Sequence, residues 1–248
     1  MGRYSLADHV FVCVNDAHVV LLDLKQDRYW ALEADKTAPL VGLVPGWPVV
    51  TAAATATREA DAPREVQAAE SAEAEEVAEA LVGQGILAPE TGGKDATPVN
   101  VPRPGRELIS VHEYEPAPIR FGTVIKFVAA SLVAKVSLRL APFERVVRRF
   151  EERKRSGTAR TRPLDVDQTR RLVEAFFRLR VFAFSSRDEC LFDSLALLGF
   201  LARHGVYADW VFGVQARPFA AHCWVQQGEV VFNDTVEHVS GFTPIMAA

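Results

Sequence analysis

A proline-rich stretch near the middle of the chain separates two parts of the sequence. Residues 89–118 contain six prolines and three glycines. Because proline fixes φ and lacks a backbone N–H, this stretch can neither continue a helix nor bury much apolar surface. The whole chain has 248 residues, which is enough for two modest domains. The sequence therefore predicts one domain over residues 1–90, a linker over 91–118 and a second domain over 119–248.

The first part begins with short β-rich runs and continues with helical patterns. Residues 9–32 contain two or three such runs, separated by polar turns at 15–16 and 25–27. This pattern predicts a small antiparallel meander. Helices are expected over 34–44 and over 66–82, and the second of these is rich in alanine and glutamate. Strands followed by helices within one short domain indicate an α+β class.

The second part is helical at first, with predicted helices over 119–140, 143–155 and 165–180. Residues 119–141 are strongly apolar, but Lys126 and Lys135 interrupt them. The uncharged run is therefore shorter than the roughly 20 residues of a membrane span. We expect a buried helix here and no stable membrane span, with a membrane-associated helix as the alternative.

The composition indicates the cellular compartment and which classes of partner to expect. The chain has three cysteines, Cys13, Cys190 and Cys223, with no CxxC pair and no charged-then-apolar N-terminal leader. These features predict a cytoplasmic protein with free thiols and no metal site. The whole chain has a net charge of −4, but residues 139–180 contain thirteen basic and only six acidic residues. Neither half is basic enough to predict nucleic-acid binding.

A helix-start signal precedes one of these cysteines. Ser186 and Glu189 have the spacing of a capping box, so a helix is predicted from about 187 to 204, ended by Gly205. Cys190 would lie in its first turn, where free N–H groups and the helix dipole favour an anion. The pKa of this thiol is expected to be lowered, which makes it a candidate nucleophile. The alternative is a small core residue.

A histidine and an aspartate follow on a predicted hairpin. The runs HCWVQ and EVVFND alternate as strands on either side of Gln227-Gly228. A loop symmetric about Gly228 would place His222 opposite Asp234, whereas a two-residue turn at Gln227-Gly228 would place it opposite Asn233. We choose Asp234 as the partner that orients His222, and therefore expect a bulged or longer loop. Cys223 is expected on the other strand face, away from the chemistry.

The chain resembles the lasso peptide biosynthesis B proteins in three stretches: CLFDSLALLGFLARHG, AHCWV and the hairpin that ends in ND. These are papain/transglutaminase-like cysteine proteases that remove the leader of a ribosomally made precursor. The resemblance implies a triad of Cys190, His222 and Asp234, with Cys223 where alanine is usual. It also implies an ATP requirement, for which no residue can be nominated, and an asparagine-synthetase-like lasso cyclase as partner.

The segment VLLDLKQDRYWALE, residues 20–33, is similar to the small winged-helix leader-recognition domains of such pathways. This resemblance implies that the precursor leader adds as a strand beside the third β-strand and packs against the third helix. The residues expected to bind the leader are Arg28, Tyr29, Trp30, Ala31 and Leu32 on the strand, with Val77 and Leu81 on the helix.

Two alternatives to a leader peptidase are open. The same triad could transfer the acyl group to an amine, as transglutaminases and arylamine acetyltransferases do. The chain could instead be a non-catalytic scaffold that binds a peptide or DNA. The acidic helix over residues 68–82 argues against DNA, because a recognition helix facing phosphates should be basic.

Overall fold

The sequence folds, in a computed structural model, into two units of mixed helix and strand. The structure describes residues 3–50, 64–89, 92–109, 118–158, 166–183 and 190–248, without the side chains of Ala34, 64–71, 73, Thr158, Phe182 and Ala183. The first unit comprises Met1–Asn100 with Val214–Ala220, and the second comprises Val101–Gly213 with Ala221–Ala248.

The first unit contains the predicted meander. Strand β1 is Tyr4–Leu6, and the strands β2 (Val10–Asn15), β3 (His18–Asp23) and β4 (Arg28–Glu33) form an antiparallel sheet in that order. Both hairpins turn at an aspartate with positive φ, Asp16 at 53° and Asp27 at 52°. Aspartate tolerates this region because its short side chain can hydrogen-bond to the local backbone. The meander prediction is confirmed.

Helices and one further strand complete this unit. Residues Ala34–Thr37 form α1, Ala38–Gly42 a 3₁₀ turn, Arg64–Gly83 helix α2, and Leu87–Pro89 strand β5, which pairs antiparallel with β1. The single helix predicted over 34–44 is wrong in detail, because Pro39 lies in the first turn of the 3₁₀ segment and cannot donate a helical hydrogen bond. The helix predicted over 66–82 corresponds to α2.

The second unit contains long helices and most of a five-stranded sheet. The helices are α3 (Phe121–Leu140), α4 (Phe143–Thr158), α5 (Val166–Ala183), α6 (Cys190–Ala202) and the short α7 (Val236–Val239). The strands are β6 (Arg106–Glu107), β7 (Asp209–Gln215), β8 (Ala220–Gln227), β9 (Val230–Val231) and β10 (Thr243–Ala247), in the order β10-β7-β8-β9-β6. Trp210, Trp224, Phe176 and Phe200 are its largest fully buried side chains.

Part of the expected linker belongs to this sheet. Strand β6 runs parallel to β9, and the N–H of Leu108 donates to the carbonyl of Val231 over 2.8 Å. Gly105 and Arg106 both donate to the carbonyl of Glu229. The linker prediction over 91–118 is therefore wrong for these residues. The prolines did not prevent pairing, because the N–H groups that the sheet uses come from the residues that follow them.

The apolar helix α3 is less buried than the sequence suggested. Phe127, Ala130 and Ala134 are buried on one face, and the rings of Phe176 and Phe200 pack on Phe127. The opposite face carries exposed large apolar side chains. The prediction of a buried helix is therefore wrong. Among the described residues, α3 alone is long and apolar enough to cross a membrane by length and composition.

Candidate active site

His222 and Asp234 form a short hydrogen bond near the open end of the β8–β9 hairpin. The Nε2 of His222 lies 2.5 Å from the Oδ2 of Asp234, and the two side chains are only 15% and 16% exposed. Because a carboxylate only accepts, the imidazole donates this bond. The carboxylate therefore fixes the orientation of the ring and leaves its Nδ1 for a second partner.

That second partner is Cys190, the first described residue of α6. Its thiol is partly buried, and interactions with the side chains of Cys223 and His222 act on its pKa. The interaction with Cys223 has the larger effect. Together the two interactions outweigh burial and lower the pKa of Cys190 to about 4. The predicted lowering of this pKa is confirmed, but its largest cause is a neighbouring thiol. The predicted capping residues Ser186 and Glu189 lie outside the described residues.

The pKa of His222 moves in the opposite direction. Burial lowers it, but hydrogen bonds to Asp234 and Cys190 outweigh burial and raise it to about 9. Burial similarly raises the pKa of Asp234, but bonds from His222, the Thr235 N–H and His238 lower it overall. A thiolate, an imidazolium and a carboxylate therefore coexist over the pH range between about 4 and about 9. Such a set can attack a carbonyl carbon and protonate a leaving group without an external base.

The hairpin reaches this arrangement by a different register from the expected one. Gln227 pairs with Val230, so Gly228 and Glu229 form a two-residue turn, with Gly228 at φ 57°. The expected bulged or longer loop is therefore wrong. Strand β9 ends at Val231, and the side chain of Asn233 then accepts a bond from the N–H of Val225. This departure from strand pairing lets Asp234 reach His222 without a bulge in the turn.

Asn233 connects the end of β9 to α6 through hydrogen bonds, a role that the sequence did not predict. Its Oδ1 accepts from the Val225 N–H over 2.7 Å, and its Nδ2 donates to the Ser194 Oγ over 3.0 Å. Ser194 lies on α6, one turn after Cys190, and donates in turn to the carbonyl of Cys223. Asn233 therefore holds the end of β9 against the helix that carries the thiol. The sequence raised it only as a rival to Asp234.

His238 is a fourth member of the cluster. Its Nδ1 donates to the Oδ1 of Asp234 over 3.0 Å, and its ring lies 4.7 Å from the ring of His222. The Oγ of Thr235 accepts from the His238 N–H and caps the short helix α7. Asp234 precedes the N-cap Thr235, so the contact depends on how the chain enters α7, and no helical spacing in the sequence signalled it.

Cys223 takes part in the site, against expectation. Its Sγ faces α6, 3.9 Å from the Ser194 Oγ, and its side chain interacts with that of Cys190 strongly enough to lower the pKa of Cys190. The Cys190 thiolate is the stronger acceptor of the two, because it is charged. Burial, followed by the bond to Cys190, raises the pKa of Cys223, so its thiol keeps its proton. The neighbouring residues His222 and Cys223 of β8 thus both lower the pKa of the nucleophile.

A partly buried ion pair lies about one helical turn from the nucleophile. The Nη1 of Arg180 on α5 donates to the Oδ2 of Asp193 over 2.9 Å, and the Asp193 side chain is only 9% exposed. Burial raises the pKa of Asp193, although Arg180 opposes this change. The pair links α5 to the first turns of α6.

The described residues show few features that could bind the ATP that the resemblance implies. No GxxxxGK[ST] loop occurs in the sequence. The Gly92-Gly93 pair has a packing role, because a Cβ on Gly93 would collide with the carbonyl of Leu6. The described residues therefore do not identify an ATP site, and no step can be assigned to ATP.

One group of donors could hold a metal ion. The ligand atoms of His222, Asp234 and His238 lie within 4.8 Å of one another. Hydrogen bonds to the Asp234 carboxylate already account for this proximity. A metal there would compete with the bond that orients His222.

The residues expected to bind a leader lie in the first unit. Strand β4 is at one edge of the three-stranded sheet, with Arg28 and Ala31 exposed and Tyr29 partly buried against Phe219. Trp30, Leu32 and Val77 are partly buried against the core of this unit. Leu81 is a buried member of that core, so it is less open to a ligand than Val77.

The comparisons with known proteins concern the second unit. Residues 130–247 match the family described as the transglutaminase-like superfamily. No curated protein and no solved structure matches the chain. The chain is therefore a mixed α/β protein with a transglutaminase-like domain in its C-terminal part. This superfamily generally comprises cysteine-dependent enzymes, of protease or acyltransferase type.

Proposed function

We propose that the protein is a cytoplasmic cysteine protease that removes the leader from a lasso precursor peptide before macrocyclisation. The observation that carries this proposal is the Cys190 thiol beside a His222 ring that Asp234 holds at 2.5 Å. The transglutaminase-like match over residues 130–247 supports cysteine-dependent acyl chemistry. The resemblance of CLFDSLALLGF and AHCWV to the lasso B proteins supplies the substrate class.

The residues fit a two-step acyl transfer. The Cys190 thiolate attacks the scissile carbonyl carbon, and the His222 imidazolium gives its proton to the leaving amine, which leaves a thioester. His222, now neutral, takes a proton from water, and the resulting hydroxide attacks the thioester. This second step releases the leader acid and restores the Cys190 thiolate and the imidazolium. Asp234 holds the ring in one orientation throughout.

Leader capture is assigned to the first unit. Strand β4 has a free edge in the described sheet, and an extended peptide can add to such an edge through backbone hydrogen bonds. The partly buried Trp30, Leu32 and Val77 provide apolar surface beside this edge. In this proposal the unit is a winged-helix-like recognition domain, and a lasso cyclase takes the core peptide afterwards. ATP belongs to the proposal through the resemblance alone.

A second candidate is acyl transfer to an amine, which the superfamily match favours as much as hydrolysis. The test is mass spectrometry of a candidate precursor incubated with the full-length protein, with and without a primary amine. Peptide hydrolysis gives a leader with a free carboxylate, whereas transamidation gives an adduct that has lost ammonia or the leaving peptide. The Cys190→Ala variant should give neither product while remaining folded by circular dichroism. Full activity of this variant would refute both acyl-transfer proposals.

A further inference from the structure

One face of α3 is apolar and exposed along the whole helix. We call it the α3 apolar face, and it consists of Phe121, Ile125, Val128, Leu132, Val136 and Leu140. The spacings of three and four residues place all six side chains on one side. Phe121 is 79% exposed, Leu132 60% and Leu140 80%. Exposed apolar surface of this extent marks a contact with a partner or a membrane.

The charged residues of α3 itself are all basic. Helix α3 contains three bases, Lys126, Lys135 and Arg139, and no acidic residue. Lys135 and Arg139 are exposed towards its C-terminal end. Arg149 and Arg153 of α4 line a cavity of about 250 Å³ together with Val133 of α3, which puts further cations beside the helix.

The opposite face of α3 is fixed inside the second unit. Phe127, Ala130 and Ala134 are buried there, and Arg203, the residue after α6, donates to the carbonyl of Ala129 over 3.5 Å. The helix therefore cannot enter a bilayer as a span without losing these contacts. A helix held on one side, apolar on the other and flanked by bases is suited to lie in the plane of a membrane surface.

We propose that the α3 apolar face docks the protein on an anionic lipid bilayer. The apolar side chains would enter the boundary between headgroups and acyl chains, and the lysine and arginine side chains would contact anionic headgroups. The 20 residues of α3 present a contact about 30 Å long. Self-association fits less well, because an isologous contact of two such faces would bring together helices that carry only positive charges.

The experiment is flotation of the full-length protein with vesicles of phosphatidylglycerol and phosphatidylcholine in equal parts, or of phosphatidylcholine alone. The protein should bind the anionic vesicles and not the neutral ones. Sodium chloride at about 1 M, which shortens the Debye length to about 3 Å, should weaken this binding. Absence of binding to the anionic vesicles, or equal binding to the neutral ones, would overturn the proposal.

A matched pair of variants locates the contact. The double change Val128→Glu and Leu132→Glu should lower binding to anionic vesicles at least about tenfold. The control is Val166→Glu and Val181→Glu on α5, which makes the same charge change at side chains 44% and 77% exposed and should leave binding unaltered. Equal loss in both variants would show a general charge effect and overturn the assignment of this face. A dimer in analytical ultracentrifugation that only the α3 variant dissociates, without vesicle binding, would assign the face to a second copy instead.

Discussion

The Oδ2 of Asp234 lies 2.5 Å from the Nε2 of His222, and both side chains are largely shielded from water. An ionised carboxylate stabilises the imidazolium that faces the Cys190 thiolate, whereas an amide can orient the ring but cannot balance its charge. Asp234 also accepts from His238 through its other oxygen, at 3.0 Å. The carboxylate is therefore fixed on both sides.

Replacing this carboxylate should slow catalysis far more than it weakens the fold. We expect Asp234→Asn to lower kcat by about a hundredfold or more, as neutralising a triad carboxylate does. Turnover of the precursor measured by mass spectrometry gives the value. Glu237→Gln is the control, because Glu237 is an exposed carboxylate three residues after Asp234, on the short helix α7. Equal rates for Asp234→Asn and the unaltered protein would exclude Asp234 from the mechanism.

The effect of Cys223 on the pKa of Cys190 predicts a specific change in pH dependence. Activity should rise as Cys190 loses its proton, with a pKa of about 4, and fall as His222 loses its own, with a pKa of about 9. Cys223→Ala removes the largest contribution that lowers the pKa of Cys190, so the acid limb of kcat/KM should move to higher pH. The rate of iodoacetamide labelling against pH measures the same titration directly.

The control for this prediction is Cys13→Ala. Cys13 is buried in the first unit, where burial raises the pKa of its thiol to about 12. Its removal should leave the acid limb in place. If Cys223→Ala also leaves the limb unchanged, the thiol contact contributes nothing to the nucleophile.

Asn233 should matter to stability as well as to activity. Asn233→Ala leaves the Val225 N–H without its acceptor at 2.7 Å and the Ser194 Oγ without its donor. An unsatisfied polar group in such a site costs about 1–3 kcal/mol, so the free energy of unfolding in urea should fall by about that amount. Asn233→Asp keeps an acceptor for Val225 but places a second carboxylate beside the buried Asp193, so it should not restore the stability. An unchanged urea midpoint in Asn233→Ala would show that water replaces the side chain.

The parts of the structure that the sequence predicted are those set by local patterns. Alternating β-rich runs broken at Asp16 and Asp27 gave the meander, and helical spacing gave the long helices. The bond between His222 and Asp234 was chosen correctly but from the wrong turn, because the position of a two-residue turn depends on pairing along the whole hairpin. The contacts of Cys223 and Asn233 with α6 are tertiary, and no local pattern encodes them.

The last prediction concerns peptide capture by the first unit, and it rests on the proposed function. Val77 is partly buried beside the core on which Trp30 and Leu32 of β4 also pack. Val77→Glu should place a charge beside an apolar peptide side chain and weaken leader binding at least about tenfold, since burying an unpaired carboxylate is costly. Calorimetry with a synthetic leader and the full-length Cys190→Ala protein measures the affinity without turnover. Ala80→Glu is the matched control, because Ala80 is an exposed residue of the same helix α2. Unchanged leader affinity in Val77→Glu, with the fold intact by circular dichroism, would move the leader site away from this edge of the sheet and leave the catalytic assignment untouched.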